Sequence, residues 1–137
     1  MDIDSLDSFT RQYIETALWA ENDNSDPSGG EPLDKNYSIE DIDEDDIKKM
    51  IADAQKFQHD NAKLLNKAYE LYHVTDGSNP QSYAGHDFWL TRTGHGTGFW
   101  DRDELEANNI GEKLTKASEK FKAQNLYVGD DNKIYIL

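Results

Sequence analysis

Apolar positions along the chain repeat mostly with the period of helices. Leu6, Phe9, Tyr13, Ala17 and Leu18 stand largely three and four residues apart, which predicts a short first helix with Ser5 or Asp7 as its cap. That helix ends near Ala20, because 22–30 collects Asn, Asp, Ser, Pro and Gly, a loop composition that continues through Pro32 to Tyr37. Ser38-Ile39-Glu40-Asp41 reads as a capping-box variant, with Asp in the place usual for Glu. Ile47, Met50, Ile51, Ala54, Phe57, Leu64, Ala68 and Leu71 then keep one apolar face over about seven turns. The longest helix is therefore expected over 44–72, about 43 Å at the standard rise. Asn61 stands where an apolar residue belongs and marks a candidate kink. On the outer face Asp46, Asp53 and Asp60 are each followed three residues later by a Lys, a spacing that pairs charges along a helix.

Asp76-Gly77 and Asn79-Pro80 interrupt the pattern again. His86 to Arg92 and Gly98 to Arg102 read as two strands around a glycine-rich turn. Phe88 and Leu90 would share one face of the first strand, and Trp89 and Trp100 are expected on the paired strands, at least one of them buried. Ile110, Leu114, Ala117 and Phe121 mark another amphipathic helix. Leu126-Tyr127-Val128 and Lys133 to Leu137 flank Gly129-Asp130-Asp131-Asn132, the pattern of a hairpin. No internal repeat is visible. The order predicts one α+β domain over 1–137, with helices packed on a small antiparallel sheet of about four strands.

Composition agrees with a folded domain: 137 residues, 36% hydrophobic and 11% aromatic, with three Trp. Charge changes the picture more. Asp and Glu number 28 against 14 Lys and Arg, a formal net charge of -14. Residues 1–60 hold 17 acids and five bases, whereas 61–137 hold 11 acids and nine bases. The segment 21–46 carries 11 carboxylates against Lys35 alone. Such density repels itself unless something positive lies nearby; it reads either as a solvated, solubilising loop or as a surface made for a basic partner. Glu31, Asp34, Glu40, Asp41, Asp43, Glu44, Asp45 and Asp46 are the candidate binding residues, with 21–37 as the acidic loop.

The same charge disfavours direct binding to nucleic-acid phosphates. No run approaches 18 apolar residues, so no membrane span is expected. The N-terminus has neither the basic flank nor the apolar core of a secretory signal. With no Cys, disulfides, thiol nucleophiles and thiolate metal sites are excluded, which suits a reducing cytosol.

The segment 84–102 is the most distinctive. Gly85-His86-Asp87-Phe88-Trp89-Leu90-Thr91-Arg92, Gly94-His95-Gly96 and Gly98-Phe99-Trp100-Asp101-Arg102 resemble the hallmark of small proteins encoded by tailed bacteriophages and prophages. Phe9-Thr10-Arg11, Gly29-Gly30-Glu31-Pro32-Leu33 and Tyr127-Val128-Gly129-Asp130-Asp131 are similar to the same group, over nearly the whole chain. The resemblance implies a phage accessory protein acting in the cytoplasm of an infected bacterium, and it carries no active site to transfer.

Chemically, His86, Asp87, His95 and Asp101 are types that bind zinc or move protons near neutral pH. No His-Glu-x-x-His or His-x-His is present, and no third metal ligand accompanies the two His. Packing accounts for the motif as well: Asp87 and Asp101 can pair with Arg92 and Arg102, and Gly94, Gly96 and Gly98 permit a tight, exposed turn. Thr93 to Thr97 is no phosphate loop, lacking the Lys-Ser/Thr and the following helix. Trp89, Arg92, His95, Trp100 and Arg102 form a secondary candidate binding surface, since aromatic and Arg side chains dominate binding hot spots. Glu21 to Asp26 offers oxygen ligands in a calcium-like alternation, but in the EF-hand frame Asp26 replaces the invariant Gly and Pro32 the closing Glu. No cofactor or metal is expected.

Three functions remain from the sequence: an acidic module that binds a basic host or phage protein, including by mimicry of nucleic acid; a small enzyme using the His86/Asp87/His95/Asp101 cluster; and a structural or assembly component of the phage.

Overall fold

The computed structural model describes residues 3–23 and 30–137. Within them the chain forms five α-helices: α1 (Ser8–Ala20), α2 (Glu44–Asp60), α3 (Ala62–Leu71), α4 (Pro80–Thr93) and α5 (Ile110–Glu119). Strands β1 (Leu126–Val128) and β2 (Ile134–Ile136) make a two-stranded antiparallel sheet, in the register Leu126↔Ile136, Tyr127↔Tyr135 and Val128↔Ile134. The architecture is α+β, with two strands in place of the expected four. None of the described helices is long and apolar enough to cross a membrane.

Local chemistry explains each boundary. Asp7 caps α1 by accepting the Thr10 N–H at 3.2 Å, and Asp43 does the same for α2 through Asp46 N–H at 3.2 Å. The continuous helix expected over 44–72 is divided at Asn61, whose φ of -121° is non-helical. There the Asn61 side-chain amide donates to the Phe57 carbonyl at 2.9 Å, taking up an acceptor at the end of α2.

The main correction concerns 84–102. His86 to Arg92 is not a strand but the body of α4. The helix starts because Asn79 accepts the Ser82 N–H at 2.8 Å and Pro80 occupies its first turn. It stops at Gly94, which takes a left-handed φ of +71°. Gly98 to Arg102 is likewise no strand; Phe99–Asp101 forms a 3-10 turn. Gly94, His95 and Gly96 are exposed, as expected of a turn.

Helix α4 is buried on nearly every side, from Ala84 and Gly85 through Phe88, Trp89 and Leu90, so its sequence shows no amphipathic stripe. Its closest partner is α1. The two approach at Gly85, where a methyl group would collide with the Phe9 carbonyl oxygen. Around this crossing lies an aromatic core: Phe88 stacks on Phe57 at 4.1 Å and on Tyr13 at 4.9 Å between ring centroids, a favourable offset geometry.

The hairpin docks on the start of α2. Ile42 bridges Ile134 in parallel fashion, Asp43 N–H donates to the Ile134 carbonyl at 2.8 Å, and Ile136 N–H donates to Asp46 at 2.9 Å. A bridge between Asn22 and Pro32 closes the base of the acidic loop. The expected outer-face pairs are only partly made. Asp46 meets Lys49 at 3.6 Å, but Asp53 turns to Arg92 at 2.8 Å and Asp60 to Lys56 at 3.0 Å.

Candidate functional site

Two places in the fold concentrate chemistry, an acidic face and a pair of Arg–Asp bridges, each with one buried and one partly exposed partner.

The acidic face is built from the loop and 3-10 turns between α1 and α2. Glu31, Asp34, Glu40, Glu44 and Asp45 are exposed. Glu31 is bridged by Lys35 at 2.8 Å and Glu44 by Lys48 at 3.4 Å; Asp34, Glu40 and Asp45 form no ion pair among the described residues. The other three predicted acids hold the fold together. Asp41 accepts the Ser38 N–H at 2.8 Å, Asp43 caps α2, and Asp46 binds the hairpin. The capping-box pattern of 38–41 points to the Asp41 bond, whereas spacing alone does not show that Asp43 and Asp46 also receive a backbone N–H.

A cleft of about 430 Å³ runs beside this face, lined by Asp34, Tyr37, Ser38, Ile39 and Glu40 on one side and by Arg11, Glu15 and Leu18 of α1 on the other. A second, of about 300 Å³, lies between Ile42, Glu44 and Ile47. Ile3, Ile39 and Glu40 line both. The contribution of α1 was not anticipated; the signal for it was Glu15, on the helix side opposite the buried Tyr13 and Ala17.

The first bridge joins Arg102 to the buried Asp87 through two hydrogen bonds, and the Tyr72 hydroxyl donates a third at 2.8 Å. The guanidinium also lies over the rings of Tyr72 and Tyr83, 5.4 and 5.0 Å from their centroids. Burial holds the Asp87 carboxyl above its ordinary range, against the opposing pull of Arg102 and Tyr72. Burial and the Asp87 charge push the Tyr72 hydroxyl well above its usual value. Burial opposes the charge on Arg102 too, yet its bonds to Asp87 leave it more basic than normal. With both oxygens engaged, Asp87 is a structural acceptor.

The second bridge is Arg92 to Asp53 at 2.8 Å. Arg92 also donates to Tyr13 at 2.9 Å and to the Lys122 carbonyl, and lies 5.3 Å over Phe121. Burial pushes the Tyr13 hydroxyl up to about 12, with Arg92 pulling the other way. Of the expected Asp–Arg pairs, Asp87 does meet Arg102, though from a helix and not across strands, while Arg92 recruits Asp53 in place of Asp87 or Asp101.

The His/Asp cluster is not assembled. His86 sits on α4 with Nδ1 3.1 Å from Thr16 Oγ1, and burial lowers its pKa, with Asp87 acting in the opposite sense. His95 lies exposed beyond Gly94, and the eight helical residues from His86 to Gly94 alone span about 12 Å. Asp101 accepts from Gly98 N–H at 2.9 Å and Thr97 Oγ1 at 2.7 Å, stabilising its own turn. Among the described residues no three His, Asp or Glu converge as a metal site. The calcium-like alternation falls partly on 24–26, outside the described residues.

The secondary surface separates as well. Trp89 and Arg92 are buried, whereas Trp100 is 54% exposed and lines a groove of about 550 Å³ with Arg102, Asn109 and Glu112. No protein-family model matches the chain, and neither a curated protein nor a solved structure matches it.

Proposed function

We propose that this protein is an accessory protein of a tailed bacteriophage or prophage, and that it binds a basic host or phage protein through its acidic face in the cytoplasm of the infected bacterium. The observation that supports binding is the set of exposed carboxylates Asp34, Glu40 and Asp45, which form no ion pair among the described residues, two of them, Asp34 and Glu40, lining a cleft. Unpaired like charges repel one another and attract a positive surface over several ångströms. In one form of this reading, the carboxylates stand in for phosphates and block a basic nucleic-acid channel. The phage origin rests on the resemblance of 84–102. The enzyme reading loses support from the separation of His86 and His95 and from the full engagement of Asp87.

The test is affinity capture from infected bacterial lysate with the native chain and with an Asp34→Asn, Glu40→Gln, Asp45→Asn variant. Capture of a basic protein should weaken at physiological salt, with heparin and with the variant. Capture unchanged by all three would overturn the reading.

A further inference from the structure

We propose that the polar pocket between α1, the bend at 76–78 and the first two turns of α4 binds a small neutral molecule through a carboxamide or lactam edge, a carbonyl beside an N–H. The pocket lies outside the acidic face, and its role is independent of that reading. It holds about 280 Å³, and every side chain lining it is polar. Arg102 is the rigid part of its wall. Asp87 occupies Nε and Nη2, and the guanidinium lies over the rings of Tyr72 and Tyr83 at 5.4 and 5.0 Å. Nη1 bonds nothing among the described residues. A donor already held in place gives up little side-chain freedom when a ligand arrives.

His86 supplies the second donor. The Thr16 hydroxyl accepts from the Gln12 amide at 3.1 Å, so its single proton goes to His86 Nδ1, also at 3.1 Å, and the neutral imidazole carries its hydrogen on Nε2. The Ser82 hydroxyl and the Gln12 carbonyl oxygen bond nothing among the described residues. Asp76, the carboxylate in the wall, already accepts from the Ser78 N–H and hydroxyl at 3.0 and 2.6 Å and from Tyr83. Free groups are therefore two N–H donors, one hydroxyl and one carbonyl acceptor. Charge selects among the ligands that could meet them. Asp87 neutralises Arg102, while Asp76 in the wall, Asp101 acting on His86 and Glu104 acting on Arg102 add negative charge, which disfavours a carboxylate or phosphate. The guanidinium disfavours a cation. A carboxamide or lactam fits both ends: its carbonyl accepts from Arg102 Nη1 and His86 Nε2, and its N–H donates to Gln12, so the hydrogen bonds made to solvent are replaced and not lost.

The probes are nicotinamide, a carboxamide, and uracil, a lactam, with nicotinate as the charged counterpart of the first. NMR titration follows the His86 imidazole and the backbone amides of Ser82 and Tyr83. Both neutral probes should shift these signals saturably, and nicotinate should bind at least about fivefold more weakly than nicotinamide. Gln12→Leu and His86→Phe should each weaken the neutral probes by about fivefold or more, as the loss of one hydrogen bond requires, with circular dichroism unchanged. Trp100→Ala, in the neighbouring groove, should leave their affinity as in the native chain. No saturable shift from either neutral probe at millimolar concentration overturns the proposal. So does nicotinate binding as tightly as nicotinamide while raising the His86 pKa, which would make the pocket an anion site. Binding lost with Trp100→Ala but kept with Gln12→Leu and His86→Phe overturns it as well.

Discussion

Arg102 grips both carboxylate oxygens of Asp87, Nε to Oδ2 at 2.9 Å and Nη2 to Oδ1 at 3.0 Å. The Asp87 side chain is 2% exposed and that of Arg102 26%, so the pair ties α4 to the segment after the 3-10 turn at Phe99–Asp101. Removing one member of such a pair strands the other charge, at a cost of about 3–5 kcal/mol. Arg102→Leu is expected to lower stability by that order in urea denaturation. Adding Asp87→Leu should restore part of it, since no unpaired charge then remains buried. Coincident unfolding curves for Arg102→Leu and the native chain would show that the bridge contributes nothing.

The two Trp of the motif are expected to respond in opposite ways. Trp89 is 0% exposed and meets Tyr13 edge-on at 5.5 Å, so Trp89→Ala should cost about 3–5 kcal/mol. Trp100→Ala should stay within about 0.5 kcal/mol, as for other surface positions. Acrylamide should quench Trp100 and Trp19, which is 55% exposed, and spare Trp89. A large stability loss at Trp100 would contradict its placement.

Helix α1, the interruption at Asn61, α5 and the terminal hairpin were all legible, because each shows a one-sided apolar period or a turn sequence between apolar runs. Helix α4 was not. Its burial on all sides erases the period that identifies a helix, and aromatic, Thr and Gly residues imitate a strand between turns. The contrary signals were present: Asn79-Pro80 is a cap followed by a first-turn proline, and Gly94 a C-terminal stop. Losing these two strands is what reduces the sheet from four to two. The site divided similarly. Acidic density is read directly from sequence, but the role of Asp46 depends on the hairpin that returns from 126–136 to meet it, whereas Asp43 caps α2 locally.

The close crossing of α1 and α4 gives a sharp test at Gly85. A Cβ there meets the Phe9 backbone, which cannot swing aside as a side chain does. Gly85→Ala would gain about 1 kcal/mol from helix propensity in an open helix. Here overpacking should dominate, at roughly 1–3 kcal/mol or more, and thermal melting should show a lower midpoint. A higher midpoint would mean that the helices separate more readily than this geometry allows.

His86 links stability to pH. Burial lowers its pKa in the folded chain, the effect of Arg102 adds to this, and Asp87 and Asp101 oppose it. The unfolded chain takes up the proton near 6.5, before the folded chain does. The His86 contribution is therefore complete above about 6.5 and is lost as pH falls from there through the folded pKa. His86→Gln should flatten that part of the stability profile measured by denaturant titration, and NMR should find the native imidazole titrating below the usual value. An equally steep profile for His86→Gln would exclude His86 as its source.

The acidic residues should separate into two classes when neutralised. Asp43→Asn and Asp46→Asn touch the α2 cap and the hairpin anchor. Asn is itself a competent cap, so Asp43→Ala is the sharper change, with an expected loss of about 0.5–2 kcal/mol. Asp46→Ala should add a comparable loss by leaving the Ile136 N–H, part-buried, without its acceptor. Asp34→Asn, Glu40→Gln and Asp45→Asn remove exposed like charges and should leave stability level or slightly raised. For Asp45, in the first turn of α2, the helix dipole opposes that gain by about 0.3–1 kcal/mol. In binding the order reverses. The exposed triple variant should slow association with a basic partner more than it speeds dissociation, because steering follows the local charge. Stopped-flow association across a salt series, beside urea unfolding of the same variants, measures both effects. If Asp34→Asn, Glu40→Gln and Asp45→Asn together leave the on-rate at low salt unchanged, the carboxylates do not steer, and the exposed Trp100 groove becomes the surface to probe.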